Sequence, residues 1–75
     1  MAAAPPSKLR RVFAKHVRAR RQELGISQEE LADRAQVHRT FVGSVERAES
    51  NVSLDNIARI SDALEISAWE LLRNE

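Results

Sequence analysis

The chain of 75 residues has no cysteine and no tyrosine, only two glycines and two prolines, and aromatic residues make up just 4% of it. Without cysteine there is no disulfide, no thiolate zinc site and no thiol nucleophile, and the two histidines, His16 and His38, lack the spacing of a metal pair. No uninterrupted apolar run exceeds the opening stretch around Ala2 to Ala4, so nothing in the sequence spans a membrane. Both prolines are adjacent, Pro5 and Pro6, which leaves the body almost without turn vocabulary, and its β-branched residues show no sustained alternation. The pattern predicts an all-α fold. No catalytic triad, metal cluster or phosphate-binding loop is present, so an enzyme and a cofactor are both excluded as expectations.

What is present is charge, strongly segregated. Residues 1 to 22 hold seven bases (Lys8, Arg10, Arg11, Lys15, Arg18, Arg20 and Arg21) and no acid, whereas residues 23 to 75 hold five bases and eleven acids. The net charge of +1 conceals this division. A basic N-terminal segment on an acidic body produces a directional field that suits an anionic partner, nucleic acid or membrane surface, though such a run also occurs as an ordinary solvated face. The opening residues are Arg-rich, Ala-rich and acid-free in the manner of a mitochondrial presequence. Against that, the same segment supplies apolar residues to the core. Residues 1–6 read as a disordered tail and residues 7–75 as one domain, with a chain this short expected to lean on oligomerisation.

Helix punctuation divides the domain into five helices. The first begins after Ser7 as N-cap and stops at Leu24, with Gly25 in the left-handed position beyond, and Leu9, Phe13, Val17 and Leu24 are expected on one inward face. Ser27-Gln28-Glu29-Glu30 is a capping box opening a short second helix that carries Leu31, Ala32 and Ala35 inward and ends near Gln36, before a buried Val37. A third helix from His38 or Arg39 to about Arg47 turns Val42 and Val45 inward, leaving Arg39, Thr40, Gly43, Ser44 and Arg47 outside. Ser53 caps a fourth helix with Leu54, Ile57, Ile60 and Leu64 inward, and Ser67-Ala68-Trp69-Glu70 is a second capping box opening the fifth.

The second and third helices, separated by about three residues, suit a helix-turn-helix crossing. The outward face of the third helix is a guanidinium, two small hydroxyls and a glycine, slender enough for a major groove while presenting donors to base edges. Arg39 can fork onto guanine, Thr40 can reach a base or a thymine methyl, and Ser44 a base or a phosphate. The basic first helix, Arg18 in particular, is expected to add phosphate contacts and steep salt dependence.

These residues also carry a resemblance. Residues 17 to 72, with G-x-S-Q-E-x-L-A at Gly25 to Ala32, V-E-R at Val45 to Arg47 and N-x-S-L-x-x-I at Asn51 to Ile57, resemble the lambda-repressor-like, Cro-type helix-turn-helix family. Within it, HRTFVGSVERAESNVSL is most similar to the controller proteins of restriction–modification systems. The resemblance implies a five-helix DNA-binding fold and a bacterial, cytoplasmic, nucleoid-associated transcriptional regulator. It implies Gln28 and Arg47 as phosphate contacts, with His38 either touching the backbone or standing as a plain surface histidine. It implies Arg39, Thr40 and Ser44 at base-reading positions, and a largely buried ion pair between Arg21 and Glu46. The helical wheel places Arg20, not Arg21, nearest the apolar face, either snorkelling outward or pointing towards DNA.

Double-stranded DNA and a second copy of the chain are the partners implied, with contact to RNA polymerase left open and no membrane partner. The homodimer would read a palindromic operator, with Ile66, Trp69, Leu71 and Leu72 of the last helices at the interface. The alternative is a protein-interaction module, such as an antitoxin or accessory subunit, for which DNA binding is secondary. The absence of large apolar anchors on the third helix speaks against that as the sole role.

Overall fold

The computed structural model describes residues 7–74, so the expected disordered tail over residues 1–6 lies outside the described residues. Five helices follow one another, α1 (Lys8–Glu23), α2 (Gln28–Ala35), α3 (Arg39–Glu46), α4 (Leu54–Ala63) and α5 (Ala68–Leu72), with no strand among the described residues. The serines start three of them as expected. The Ser7, Ser27 and Ser53 hydroxyls accept from the backbone N–H groups of Arg10, Glu30 and Asn56 at 3.1, 3.0 and 3.1 Å, each such cap contributing about 1 kcal/mol. Glu30 contributes only its N–H, so the reciprocal half of that capping box is not made. Ser67 makes no side-chain cap bond at all, a correction to the second box, because α5 is a five-residue segment with little helix to close.

The ends of the helices follow one geometric rule that composition concealed. A single left-handed residue stands after each of the first four helices: Gly25 (φ 70°), Gln36 (φ 58°), Ala48 (φ 60°) and Glu65 (φ 57°). In every case the next residue donates its N–H to the carbonyl five positions back: Ile26 to Arg21 at 3.2 Å, Val37 to Ala32 at 3.0 Å, Glu49 to Ser44 at 2.9 Å and Ile66 to Ser61 at 3.1 Å. These are Schellman closures, and only one of the four uses glycine. At three corners the chain then runs left-handed residue, β-branched apolar residue, N-cap: Gly25-Ile26-Ser27, Gln36-Val37-His38 and Glu65-Ile66-Ser67. Ile26 is buried, and Val37 and Ile66 pack against the core, so each corner is pinned by its middle residue.

α1 packs against α3 and α5, and α2 against α3 and α4, around a core of Phe13, Val17, Ile26, Leu31, Ala32, Ala35, Val42, Val45, Ile60, Leu64 and Leu71. Of the expected inward residues, Leu24, Val37 and Ile57 pack partly buried against it, and two are left open: Leu9 is 54% exposed and Leu54 82% exposed. Both occupy the first turn of their helices, where the 3.6-residue period still holds but no opposing element covers the side chain. Arg20 is corrected too. Its side chain, 27% exposed, lies against the end of α4: Nε donates to the Leu64 carbonyl at 2.9 Å and Nη2 to the Glu65 carbonyl at 3.4 Å, while Nη1 pairs with the exposed Glu23 carboxylate at 3.3 Å. A cation thus satisfies the exposed carbonyls at the α4 C-terminus, where the helix dipole favours positive charge.

Candidate nucleic-acid interface

The third helix is held from behind by one carboxylate. Glu46 ends α3, and its side chain is completely shielded from solvent. Arg21 grips it with two bonds, Nε to Oε2 at 2.7 Å and Nη2 to Oε1 at 3.0 Å, and the remaining Nη1 donates to the Ile26 carbonyl at 3.0 Å. Gln28 Nε2 donates to Glu46 Oε1 at 3.0 Å, and Arg18 Nε lies 3.7 Å from the same oxygen. One acceptor therefore ties α1, the first turn of α2 and the end of α3 into a single rigid angle. Burial alone would push the Glu46 carboxyl up, but the bonds from Arg21 and Gln28 and the charges of Arg21 and Arg18 outweigh it and hold it below the ordinary carboxylate range. Arg21 moves the opposite way, raised chiefly by its hydrogen bond to Glu46, with burial opposing.

In front of this anchor lies an open polar face lined by Arg21, Ser27, Gln28, Glu29, Arg39, Thr40, Gly43 and Arg47. The structure thus brings together Gln28, Arg39, Thr40 and Arg47 of the expected site residues. Gly43 forms the floor. It stands on the outward side as expected but is buried there, because Arg47 lies across it: a Cβ there would meet Arg47 Nη1 at 3.1 Å and Gln28 Oε1 at 3.7 Å. Arg47 is held in that pose by Glu49 at 3.0 Å. His38 is the N-cap of α3, its Nδ1 accepting from the Thr40 N–H at 3.1 Å, which gives it a structural task of its own at the helix start.

Two features of this face were not foreseen from sequence. Arg39 pairs with Glu29 at 2.9 Å, linking the first turns of α2 and α3. Both side chains are about two-thirds exposed, at 69% and 67%, so the pair is weakly held and readily exchanged for another acceptor. The signal was Glu29 itself, which sequence reasoning credited only to the capping segment. Ser44, expected beside Arg39 and Thr40, does not line the face. Its hydroxyl donates to the Phe41 carbonyl at 3.0 Å and pairs closely with Ser50 Oγ, bracing the loop between α3 and α4.

The expected dimer residues do not converge on one patch. Leu71 is fully buried within the monomer and is corrected to a core residue. Ile66 is the pinned middle of a corner and borders a cleft with His16, Arg20 and Glu70. Leu72 lines a different groove with Leu9, Phe13, Val52 and Ile57. Trp69 is 67% exposed and is therefore not a core residue.

A slender, polar recognition helix locked by a buried carboxylate against the preceding short helix defines a helix-turn-helix DNA-binding domain of the lambda-repressor-like type. A family model described as Helix-turn-helix matches residues 17–71, and the chain belongs to that family of transcriptional regulators, which are not enzymes. Among curated relatives, the control protein C.SmaI of Serratia marcescens is 39% identical over 67 residues, covering 89% of this chain and 80% of that one. The control protein C.BamHI of Bacillus amyloliquefaciens is 43% identical over 65 residues, covering 85% and 80%. Among solved structures, the hypothetical transcription factor NHTF from Neisseria superposes with a TM-score of 0.85 at 40% identity, covering 97% of this chain and 86% of that one. The restriction–modification controller protein C.AhdI from Aeromonas hydrophila gives 0.80 at 42% identity, covering 83% and 94%. Among the described residues no helix is long and apolar enough to cross a membrane.

Proposed function

We propose that the chain is a homodimeric, sequence-specific regulator of transcription that reads a palindromic operator in double-stranded DNA, as a restriction–modification controller working on the nucleoid of a bacterial cytoplasm. The observation that supports this most directly is the open face in front of Glu46, where Arg39 and Thr40 lie at the start of α3 with Gln28 and Arg47 on either side and no large apolar side chain among them. Arg39 and Thr40 address base edges, while Gln28 and Arg47 address phosphates and set the docking angle. Arg18 adds a phosphate contact from α1, its guanidinium half-exposed while leaning on Glu46. His38 places its ring at the same end of α3 and touches the backbone from there. For the second copy, the exposed Trp69 offers the aromatic anchor.

The test is selection of bound duplexes from a random library at near-physiological salt, which suppresses purely electrostatic binding. A two-fold symmetric consensus with half-sites about one helical turn apart is the expected result. No enrichment would overturn base reading and bring the protein-partner function forward. A single asymmetric half-site would keep base reading and remove the dimer. Sedimentation of Trp69→Glu separates the two claims further, since a dimer that persists would take Trp69 out of the interface.

A further inference from the structure

The polar face does not end at Arg47. That arginine also borders a second cleft, lined on α1 by Arg11, Ala14, Lys15, Arg18, Ala19 and Gln22 and closed by Glu46 and Ala48. We infer that Arg11, Lys15 and Arg18, continuing from Arg47, form a track for the phosphates of duplex DNA outside the half-site that α3 reads. The inference rests on the operator-reading function and extends its footprint.

Three observations carry it. First, Arg11, Lys15 and Arg18 recur at helical spacing along one side of α1, so that seven residues at about 1.5 Å each set the outer two about 10 Å apart. That length is comparable to the distance between non-adjacent phosphates on one strand, at a spacing of several ångströms per nucleotide. Second, the only acid lining the cleft is Glu46, and its carboxylate is buried and already engaged by Arg21 and Gln28. Its field is therefore largely neutralised, and the cleft presents positive charge. Lys15 has no ion pair among the described residues. Third, the space between the basic side chains is floored by alanines, with no aromatic or large aliphatic residue. A protein partner is ordinarily captured by a buried apolar anchor, whereas a phosphodiester chain needs charge and clearance. The sharing of Arg47 by both clefts makes the surface continuous with the reading face, which a separate partner site would not require.

The experiment compares two duplexes carrying the selected consensus, one ending at its edge and one extended by about ten base pairs of arbitrary sequence at each end. Wild-type protein and Arg11→Gln/Lys15→Gln are titrated against both by fluorescence anisotropy over a range of salt, after thermal melting confirms equal stability. Neither substituted residue belongs to the Glu46 anchor. The wild type is expected to bind the extended duplex more tightly. The double variant is expected to lose at least about tenfold on the extended duplex and little on the short one, with the salt slope on the long duplex falling by about four, two for each protomer of the dimer. If the paired substitution disturbs folding, Lys15→Gln alone should show a smaller loss with the same length dependence. Equal loss on both duplexes, or no loss on either, overturns the inference, the second result pointing to an acidic protein as the occupant. Absence of sequence-specific binding by the wild type to either duplex would instead mark failure of the operator-reading function itself.

Discussion

The last turn of α1 holds the two halves of the molecule in opposite ways. Arg21 holds the reading helix through an ionised, buried carboxylate, and its neighbour Arg20 holds the α4–α5 junction through neutral backbone carbonyls at 2.9 and 3.4 Å. Adjacent residues of the same type thus make one clasp whose strength depends on the charge of its acceptor and one that rests mainly on neutral carbonyls, its charged partner being the exposed Glu23 of its own helix at 3.3 Å. The first sets the orientation of the helix expected to contact DNA, while the second steadies the half that is expected to meet another copy. The lesson is that rigidity in this domain is directed: the costly interaction, a buried ion pair, is placed where an angle must be exact, and a cheaper cap suffices where α4 only has to stop.

Breaking the charged clasp should have the largest effect. Glu46→Ala strands Arg21, which keeps only 15% of its side chain open to water, and should cost about 3 kcal/mol, the lower end for a buried partner left alone. That corresponds to a melting temperature lower by roughly 12 °C or more in a domain of this size. An unchanged melting curve would show that the clasp does not hold α3.

Acid should break the same clasp without mutation. The Glu46 carboxyl is held below 4.5 in the folded protein, so the unfolded chain takes up its proton first as pH falls. The stabilisation is complete above about 4.5 and is lost as pH descends through the lower folded-state value. Urea unfolding between neutral pH and pH 3 should therefore show a steeper loss in the wild type than in Glu46→Gln, which has no proton to gain. Parallel pH profiles for the two proteins would assign the acid sensitivity to other carboxylates.

The neutral clasp should break more gently. Arg20→Ala should cost about 1 kcal/mol, since the Leu64 and Glu65 carbonyls can turn to water in its absence. Its loss should change little between pH 7 and pH 4, since the one carboxylate it pairs with, Glu23, is exposed and weakly held, and a loss as pH-dependent as that of the Glu46 clasp would erase the distinction between the two arginines. The smallest effect is expected for Gly43→Ala. The added methyl meets the mobile end of Arg47 at 3.1 Å, while helix propensity gains up to about 1 kcal/mol, so melting should move by no more than a few degrees. DNA affinity should nevertheless fall severalfold, because Arg47 and Gln28 lose the floor they share. Unaltered affinity would show that neither depends on it.

How much of this was legible in the sequence follows the kind of interaction. The serine caps at Ser7, Ser27 and Ser53 and the Gly25 stop are local signals, and the helices begin and end where those residues say. The pairing of Arg21 with Glu46 is implied by the resemblance alone, whereas the wheel sets Arg20 nearer the apolar face, although Arg21 is the more buried of the two, and it names the partners of neither. Those of Arg20 are mainly backbone carbonyls, which every residue has and no sequence advertises. Leu9 and Leu54 obey the helical period yet lie beyond the reach of a second element, and period alone does not report where a neighbour ends. Leu71 and Trp69 stand two apart on a short helix with the same apolar character, and only packing decided that one is core and the other open to solvent. Periodicity sets Ser44 and Gly43 outward but does not report what covers them, and both are claimed by contacts that begin outside α3: Ser50 for one, Arg47 for the other.

The three-residue corner has a further consequence for how such a domain can change. Since Gly25-Ile26-Ser27, Gln36-Val37-His38 and Glu65-Ile66-Ser67 share one backbone course, they are interchangeable joints, each a left-handed step, a peg in the core and a fresh start. The tilt of α3 relative to α2 is then adjustable at the joint by the bulk of its peg. A lineage could re-aim its recognition helix onto a new spacing of bases by resizing Val37, leaving every DNA-facing side chain as it was.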